Sequence, residues 1–304
     1  MNVFTNNDKL KDYLNQEAPS SIKLVEDYSE AEVFIGGRFK HGDVHSKLKA
    51  VVIPFTGHNG IELSVLKDNN IMLFNTTAHS HFVSEKALQL MLALLGNTVS
   101  YHNNLKGGDW SGRNLPNRKR WVSLWNKHVG IFGYGRIGRT LKTLLDAFNC
   151  TVHVIDRGKN YEGCVLEKSL PALVKNTDIT VMAAPLNSET KNALNGPVLD
   201  LLKGKYLINV GRGQVIDEKT LYERLENGLI EGFASDVWYQ YPKKDESLAP
   251  SKYPIHTFDN VLLSPHTGGF TTEADSYMQN AILNTLLSIE KGETSSKLDL
   301  TRLK

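Results

Sequence analysis

Short apolar runs alternate with helix-like patterns from one end of the chain to the other, and this alternation restricts the fold more than any other feature. Strands separated by helical crossovers pair in parallel, so the pattern specifies an α/β architecture. In the first hundred residues the strand candidates are Ile22–Val25, Val33–Ile35, Ala50–Pro54 and Ile71–Phe74. A second series follows: Val129–Phe132, Thr151–Ile155, Ile179–Ala183, Tyr206–Val210, Glu231–Asp236 and Val261–Leu263. With 304 residues the chain is long enough for about two domains, each able to bury a core without disulfide or metal staples.

Composition excludes several partners. The 35 Lys and Arg nearly balance the 33 Asp and Glu, so no global field favours nucleic acid or an anionic membrane. From Tyr101 to His128 the strand–helix pattern breaks into a connecting segment with Gly107-Gly108, Trp110, Pro116 and the run Arg118-Lys119-Arg120. That run is short and has no interleaved aromatic platform, which argues for a solvated face. The beginning, MNVFTNNDKLKDYL, is polar where a secretory signal needs an apolar stretch, and no run reaches the ~18 apolar residues of a membrane span. Cys150 and Cys164 lack the spacing of a metal clip or redox motif, so the expectation is two reduced thiols in a cytoplasmic protein and no metal.

The strongest local signal is Gly133-Tyr134-Gly135-Arg136-Ile137-Gly138, a G-x-G-x-x-G that directly follows an apolar strand and opens a helix. Ile137, Leu141, Leu144, Leu145 and Phe148 recur at helical spacing on one face of that helix. In such a loop the first glycine permits the tight turn, the second lets backbone approach a pyrophosphate, and the third lets helix and strand pack closely. The helix N-terminus then offers N–H groups and a positive dipole end to phosphates. Asp156 ends the next strand, 18 residues after Gly138, where a carboxylate accepts hydrogen bonds from an adenosine ribose and repels a 2′-phosphate. NAD is therefore expected in preference to NADP, although the neighbouring Arg157 is a group that could accept a phosphate.

Three further segments place polar residues just past strand ends: Asn209-Val210-Gly211-Arg212-Gly213, Gly232-Phe233-Ala234-Ser235-Asp236, and Ser264-Pro265-His266-Thr267-Gly268. With the glycine loop, and with Asn75 and Val83-Ser84-Glu85 ahead of an apolar helix, they resemble the D-specific 2-hydroxyacid dehydrogenase family over nearly the whole chain. The resemblance implies a Rossmann NAD-binding domain at 99–270 and a discontinuous, flavodoxin-like substrate domain at 1–98 plus 271–304. It implies oxidation of a small D-2-hydroxy acid, or reduction of the matching 2-keto acid such as glyoxylate, hydroxypyruvate or phosphohydroxypyruvate. Gly133, Gly135, Arg136, Ile137, Gly138, Asp156, Pro185, Val210, Gly211, Asp236 and Gly268 match the family's cofactor positions, with Asp236 matching the aspartate that holds the nicotinamide carboxamide. Arg212 matches the arginine that grips the substrate carboxylate, and His266 the acid/base. Thr56, Gly57 and His58 lie in the loop that offers backbone N–H groups to that carboxylate. Thr271–Lys291 reads as the helix that returns to the first domain. A homodimer is expected, because Val83–Leu95 is too apolar to remain exposed.

One departure from the family is chemically important. Most members place a glutamate 29 residues after the arginine, where it hydrogen-bonds the histidine and keeps it protonated; here that position is Tyr241, followed by Pro242. A phenol can orient an imidazole but supplies no charge below about pH 10. Gln240 is similar to the glutamine of formate dehydrogenases but stands one residue early, so a formate dehydrogenase-like enzyme is an alternative. Another is a dinucleotide-sensing interaction protein, since the corepressors called C-terminal binding proteins share the scaffold.

Overall fold

The structure, a computed structural model, describes residues 1–58, 60–116, 120–159, 161–294 and 297–300. The chain divides into two compact units, one made of Met1–Ser80 with Phe270–Lys304 and the other of His81–Gly269.

The first unit carries β1 (Asn2–Thr5), β2 (Lys23–Leu24), β3 (Val33–Ile35), β4 (Ala50–Ile53) and β5 (Met72–Asn75). All neighbours are parallel, in the order β2-β1-β3-β4-β5, the flavodoxin-like arrangement. β1 escapes a sequence reading because only Val3 and Phe4 are apolar in it. The helix Ala274–Glu290 belongs to this unit: Ile282 and Leu286 are fully buried in one cluster with Val3, Val33, Ile35 and Val52. Past β4, the loop holding Thr56, Gly57 and His58 is tied to the end of β5, where the Asn75 side chain donates to the Thr56 carbonyl at 2.8 Å. Thr76 Oγ1 likewise donates to the Pro54 carbonyl at 2.8 Å.

The second unit is a seven-stranded parallel sheet of β6 (His128–Phe132), β7 (Thr151–Ile155), β8 (Val165–Glu167), β9 (Ile179–Met182), β10 (Tyr206–Asn209), β11 (Gly232–Ser235) and β12 (Val261–Leu263). Its order, β12-β11-β10-β9-β6-β7-β8, reverses direction between β6 and β9, the switch point of a Rossmann sheet. β8 is three residues long, with two of them exposed, so its apolar signal is weak. A buried polar chain fixes it instead. His153 on β7 meets the Glu167 carboxylate at 2.8 Å and His128 at 2.8 Å, and Asn176 donates to both Glu167 oxygens. Burial alone would raise the Glu167 pKa; the hydrogen bonds from His153 and Asn176 outweigh it and hold the carboxyl below its ordinary value.

Two expectations are revised. The helix Ser80–Leu95 contributes Ala87, Leu90, Met91 and Leu95 to the same core as Val129, Ile131 and Val154, so the boundary between units falls at Ser80 and not after residue 98. The expected connecting segment also begins inside a regular helix, Thr98–Lys106, whose Asn, His and Tyr residues hid its period, and holds a 3₁₀ turn at Ser111–Asn114. Arg118 and Lys119 of the basic run lie outside the described residues. Among the described residues no helix is long and apolar enough to cross a membrane and no cluster of His, Cys, Asp and Glu could hold a metal.

Candidate active site

Parallel pairing sends the carboxyl end of every strand in the second unit to one edge, and the residues singled out from its sequence follow strand ends or sit close beyond them in loops. Gly133–Gly138 follow β6, Asp156 follows β7, Pro185 lies just past β9, Val210–Arg212 follow β10, Asp236 and then Tyr241 follow β11, and His266–Gly268 follow β12. A cavity of about 670 Å³ lined by Tyr206, Glu231 and Val261 lies at the strands' amino ends, away from these residues. Ligands of open α/β sheets bind beyond the carboxyl ends, so the other edge holds the site.

The glycine loop has the geometry its motif requires. Gly133 sits at φ +103°, and a Cβ there would lie 2.4 Å from the Ala184 nitrogen, so β6 and the segment after β9 touch backbone to backbone. Gly138 is equally tight, its Cβ position lying 2.7 Å from the Gly133 carbonyl oxygen. Gly135 is the opposite case. It caps the helix Arg136–Asp146, and nothing lies within 4 Å of where its Cβ would be. That open space in front of a helix N-terminus, bordered by Arg136 and Ile137, is the cradle a pyrophosphate needs. Beside it, a pocket of about 200 Å³ is lined by Gly133, Tyr134, Arg157, Tyr161 and Pro185. Tyr134 is fixed there by Tyr161, edge-on at 5.4 Å, and by the free thiol of Cys164, which donates to its hydroxyl at 3.3 Å. Asp156 accepts from the Gly158 amide at 2.9 Å through one oxygen, leaving the other for a ribose. These residues fit a dinucleotide.

The second cluster brings Arg212, Asp236, Tyr241 and His266 into electrostatic contact. Asn209, buried at the end of β10, accepts from the Gly211 amide and donates to the Arg212 carbonyl, each at 3.1 Å, which shapes the turn. The guanidinium then donates to the Gly211 carbonyl at 2.7 Å. Burial lowers the Arg212 pKa, yet a guanidinium stays charged at any working pH. Tyr241 is half exposed and its ring lies against the His266 imidazole, with centroids 5.4 Å apart and planes at 48°. Its hydroxyl accepts from the Trp238 amide at 2.9 Å, so the oxygen is engaged with backbone while the ring lies tilted beside the histidine. Trp238 and Tyr239 are packing residues: the indole N–H donates to the Ser264 carbonyl and the Tyr239 hydroxyl to that of Ile216.

His266 itself has φ +59°, a left-handed conformation that costs a side-chain-bearing residue ~1–2 kcal/mol. Burial lowers its pKa below the ordinary imidazole value; Asp236 pulls the other way and Arg212 adds to the lowering. Asn209 and Ser264 were not among the residues expected at the site. Asn209 acts on the backbone of its turn and Ser264 on the Asp236 carboxylate, and their sequence signal is a short polar side chain at a strand end, two residues before a glycine or next to a proline.

Comparison with known proteins then decides the family. Residues 88–268 match the sequence profile of the D-isomer specific 2-hydroxyacid dehydrogenase NAD binding domain. The chain belongs to the D-isomer specific 2-hydroxyacid dehydrogenase family. It is 28% identical to the glyoxylate reductase of Pyrococcus furiosus, over 81% of this chain and 74% of that one. It is 30% identical to the hydroxyphenylpyruvate reductase of Plectranthus scutellarioides, over 91% and 84% of the respective chains. In fold it is similar to the NADPH-dependent glyoxylate/hydroxypyruvate reductase of Sinorhizobium meliloti, crystallised with NADP and malonate, with TM-score 0.79, 23% identity and coverage of 100% and 98%. As a D-2-hydroxyacid dehydrogenase the chain is an oxidoreductase with that family's NAD-binding domain.

The open position at Gly135 makes a direct prediction about the cofactor cradle of this dehydrogenase. Gly135→Ala adds a Cβ that meets nothing within 4 Å, so it fits the fold while intruding on the space before the helix. NADH fluorescence titration should show affinity down by roughly ten-fold or more, with an unchanged melting temperature of the cofactor-free protein; unaltered affinity would mean that phosphates bind elsewhere.

Proposed function

We propose that this protein is an NAD-dependent oxidoreductase that reduces a small 2-keto acid, such as glyoxylate, hydroxypyruvate or phosphohydroxypyruvate, to its D-2-hydroxy acid, and runs the reverse reaction. The observation that carries this reading is the convergence of Arg212, His266 and the glycine loop beyond one edge of a single sheet. Arg212 binds the acid's carboxylate with two parallel hydrogen bonds and polarises the neighbouring carbonyl. Gly133, Gly135, Gly138 and Asp156 would hold the dinucleotide, which would supply the hydride in reduction and accept it in oxidation. His266 donates a proton to the developing alkoxide in reduction and removes the hydroxyl proton in oxidation. In the first unit, Thr56, Gly57 and His58 form the substrate-binding loop. Asp156 favours NAD over NADP through its free oxygen.

The finer assignments have their own support. The two thiols are unpaired, which accords with a reducing, cytoplasmic setting. A homodimer accords with the helix Ser80–Leu95, where Val83, Leu88 and Leu94 are only partly buried and Leu92 is exposed, and with the exposed Val99, Leu105, Trp110 and Trp121 that follow. Size-exclusion chromatography with light scattering should return twice the mass of the chain, and a clean monomer would contradict the dimer.

A panel of keto acids assayed with NADH and with NADPH should show turnover and a preference for NADH. Saturable NADH binding with no turnover on any acid would favour the dinucleotide-sensing alternative. The pH profile follows from His266. Reduction needs the protonated imidazole, whose pKa lies below its ordinary value, so kcat/KM for reduction should already be falling as pH rises through about 6.5. A plateau extending well above about pH 7.5 would show that burial does not control the histidine.

Tyr241→Glu places a carboxylate beside the imidazole. It should move the falling limb of the reduction profile up by roughly one pH unit, because an adjacent negative charge favours the protonated form. An unmoved profile would show that position 241 does not influence His266.

A further inference from the structure

We propose that Asp236 is a positioning residue for His266, holding the histidine in its left-handed conformation by gripping the turn on both sides of it. The inference rests on reading His266 as the acid/base. Asp236 is 2% exposed and lies beneath the turn Ser264–Gly268. Its Oδ1 accepts from the Ser264 hydroxyl at 2.5 Å and from the Thr267 amide at 2.9 Å; its Oδ2 accepts from the Gly268 amide at 2.8 Å. One of these donors is two residues before the histidine, and the others are one and two residues after it. The turn is closed further by the Trp238 indole N–H, which donates to the Ser264 carbonyl at 2.8 Å, and by the Ser264 amide, which donates to the Ser235 carbonyl at 2.9 Å.

The fit leaves little slack. A Cβ at Gly268 would stand 2.8 Å from Oδ2, so only glycine allows the carboxylate this close. A carboxylate has about four lone-pair positions, and three are taken by the turn, two of them on Oδ1. One position on Oδ2 remains for a cofactor amide, so holding the nicotinamide cannot be the residue's whole work. The charged groups that act on the imidazole are Asp236 from below and Arg212 from the loop after β10, with the neutral Tyr241 ring tilted beside it. Asp236 alone among them favours the protonated form, so it meets part of the need that the family's missing glutamate would have met.

Asp236→Asn keeps the shape, removes the charge and turns an N–H₂ toward at least one backbone N–H. The test uses the full-length protein. Imidazole titrations are followed by NMR with His266→Gln to assign the signal, and keto-acid reduction and NADH affinity are measured alongside. In D236N the His266 midpoint should drop by roughly half a pH unit or more, and kcat should fall by roughly ten-fold or more. NADH affinity should change far less than kcat. An unchanged midpoint and kcat, or a loss confined to NADH affinity, would overturn the proposal. Should D236N fail to fold, Ser264→Ala removes one of the three bonds with the charge intact; an undiminished kcat in S264A would then overturn it. His266→Gln separates the two levels of the reading. If H266Q retains turnover, the acid/base assignment fails, and the D236N titration still reports whether the aspartate controls the turn. If H266Q is inactive while D236N behaves as wild type, the clamp alone fails.

Discussion

The site depends on the parallel register of β6, β9, β10, β11 and β12, because a parallel sheet delivers the carboxyl ends of all its strands to one edge. An antiparallel pairing of β10 with β11 would have sent Arg212 and Asp236 to opposite edges. Register does the rest. Asn209 pairs with Ser235, and Ser235 with Leu263, so the three loops that carry Arg212, Asp236 and His266 start at one level. Backbone hydrogen bonds thereby place groups that are 24 to 54 residues apart in sequence within electrostatic reach of one another.

Two kinds of close approach refine that placement. At Gly133, Gly138 and Gly268 the neighbouring atoms come nearer than a side chain allows: the first contact joins the ends of β6 and β9, the second closes the glycine loop, and the third seats the turn on Asp236. At Asp236 the approach is polar: a buried charge is satisfied by one hydroxyl and two amides instead of by a counter-ion. A carboxylate so enclosed is stable only while all three donors stay in place, so its satisfaction and the shape of the turn are one condition.

The strand-end positions of the glycine loop, Asp156, Arg212 and His266 were legible in the sequence because each comes soon after an apolar run. The parallel class was equally legible, since β3 and β12 are continuous apolar runs and β7 is interrupted only by Thr151 and His153, all three with the observed bounds. β1 and β8 were not, having too few apolar residues for a signal, and β8 is held by the Glu167–His153 pair, 14 positions apart in sequence. The Asp236 network was hidden for another reason. Two of its donors are main-chain amides, which every residue but proline possesses, so no pattern of side chains announces them. Tyr241 shows the same limit: its position relative to Arg212 was countable, but that its hydroxyl takes the Trp238 amide is decided by the path of the loop.

Building one unit from both ends of the chain also orders events during synthesis. The apolar surface formed by Val3, Val33, Ile35 and Val52 is completed by Ile282 and Leu286, which are made last. By then every residue of the second unit, His81–Gly269, has already been joined. The middle of the chain can therefore close its core while the beginning still waits for a partner, and for that interval the uncovered face of β1, β3 and β4 is open to wrong pairing.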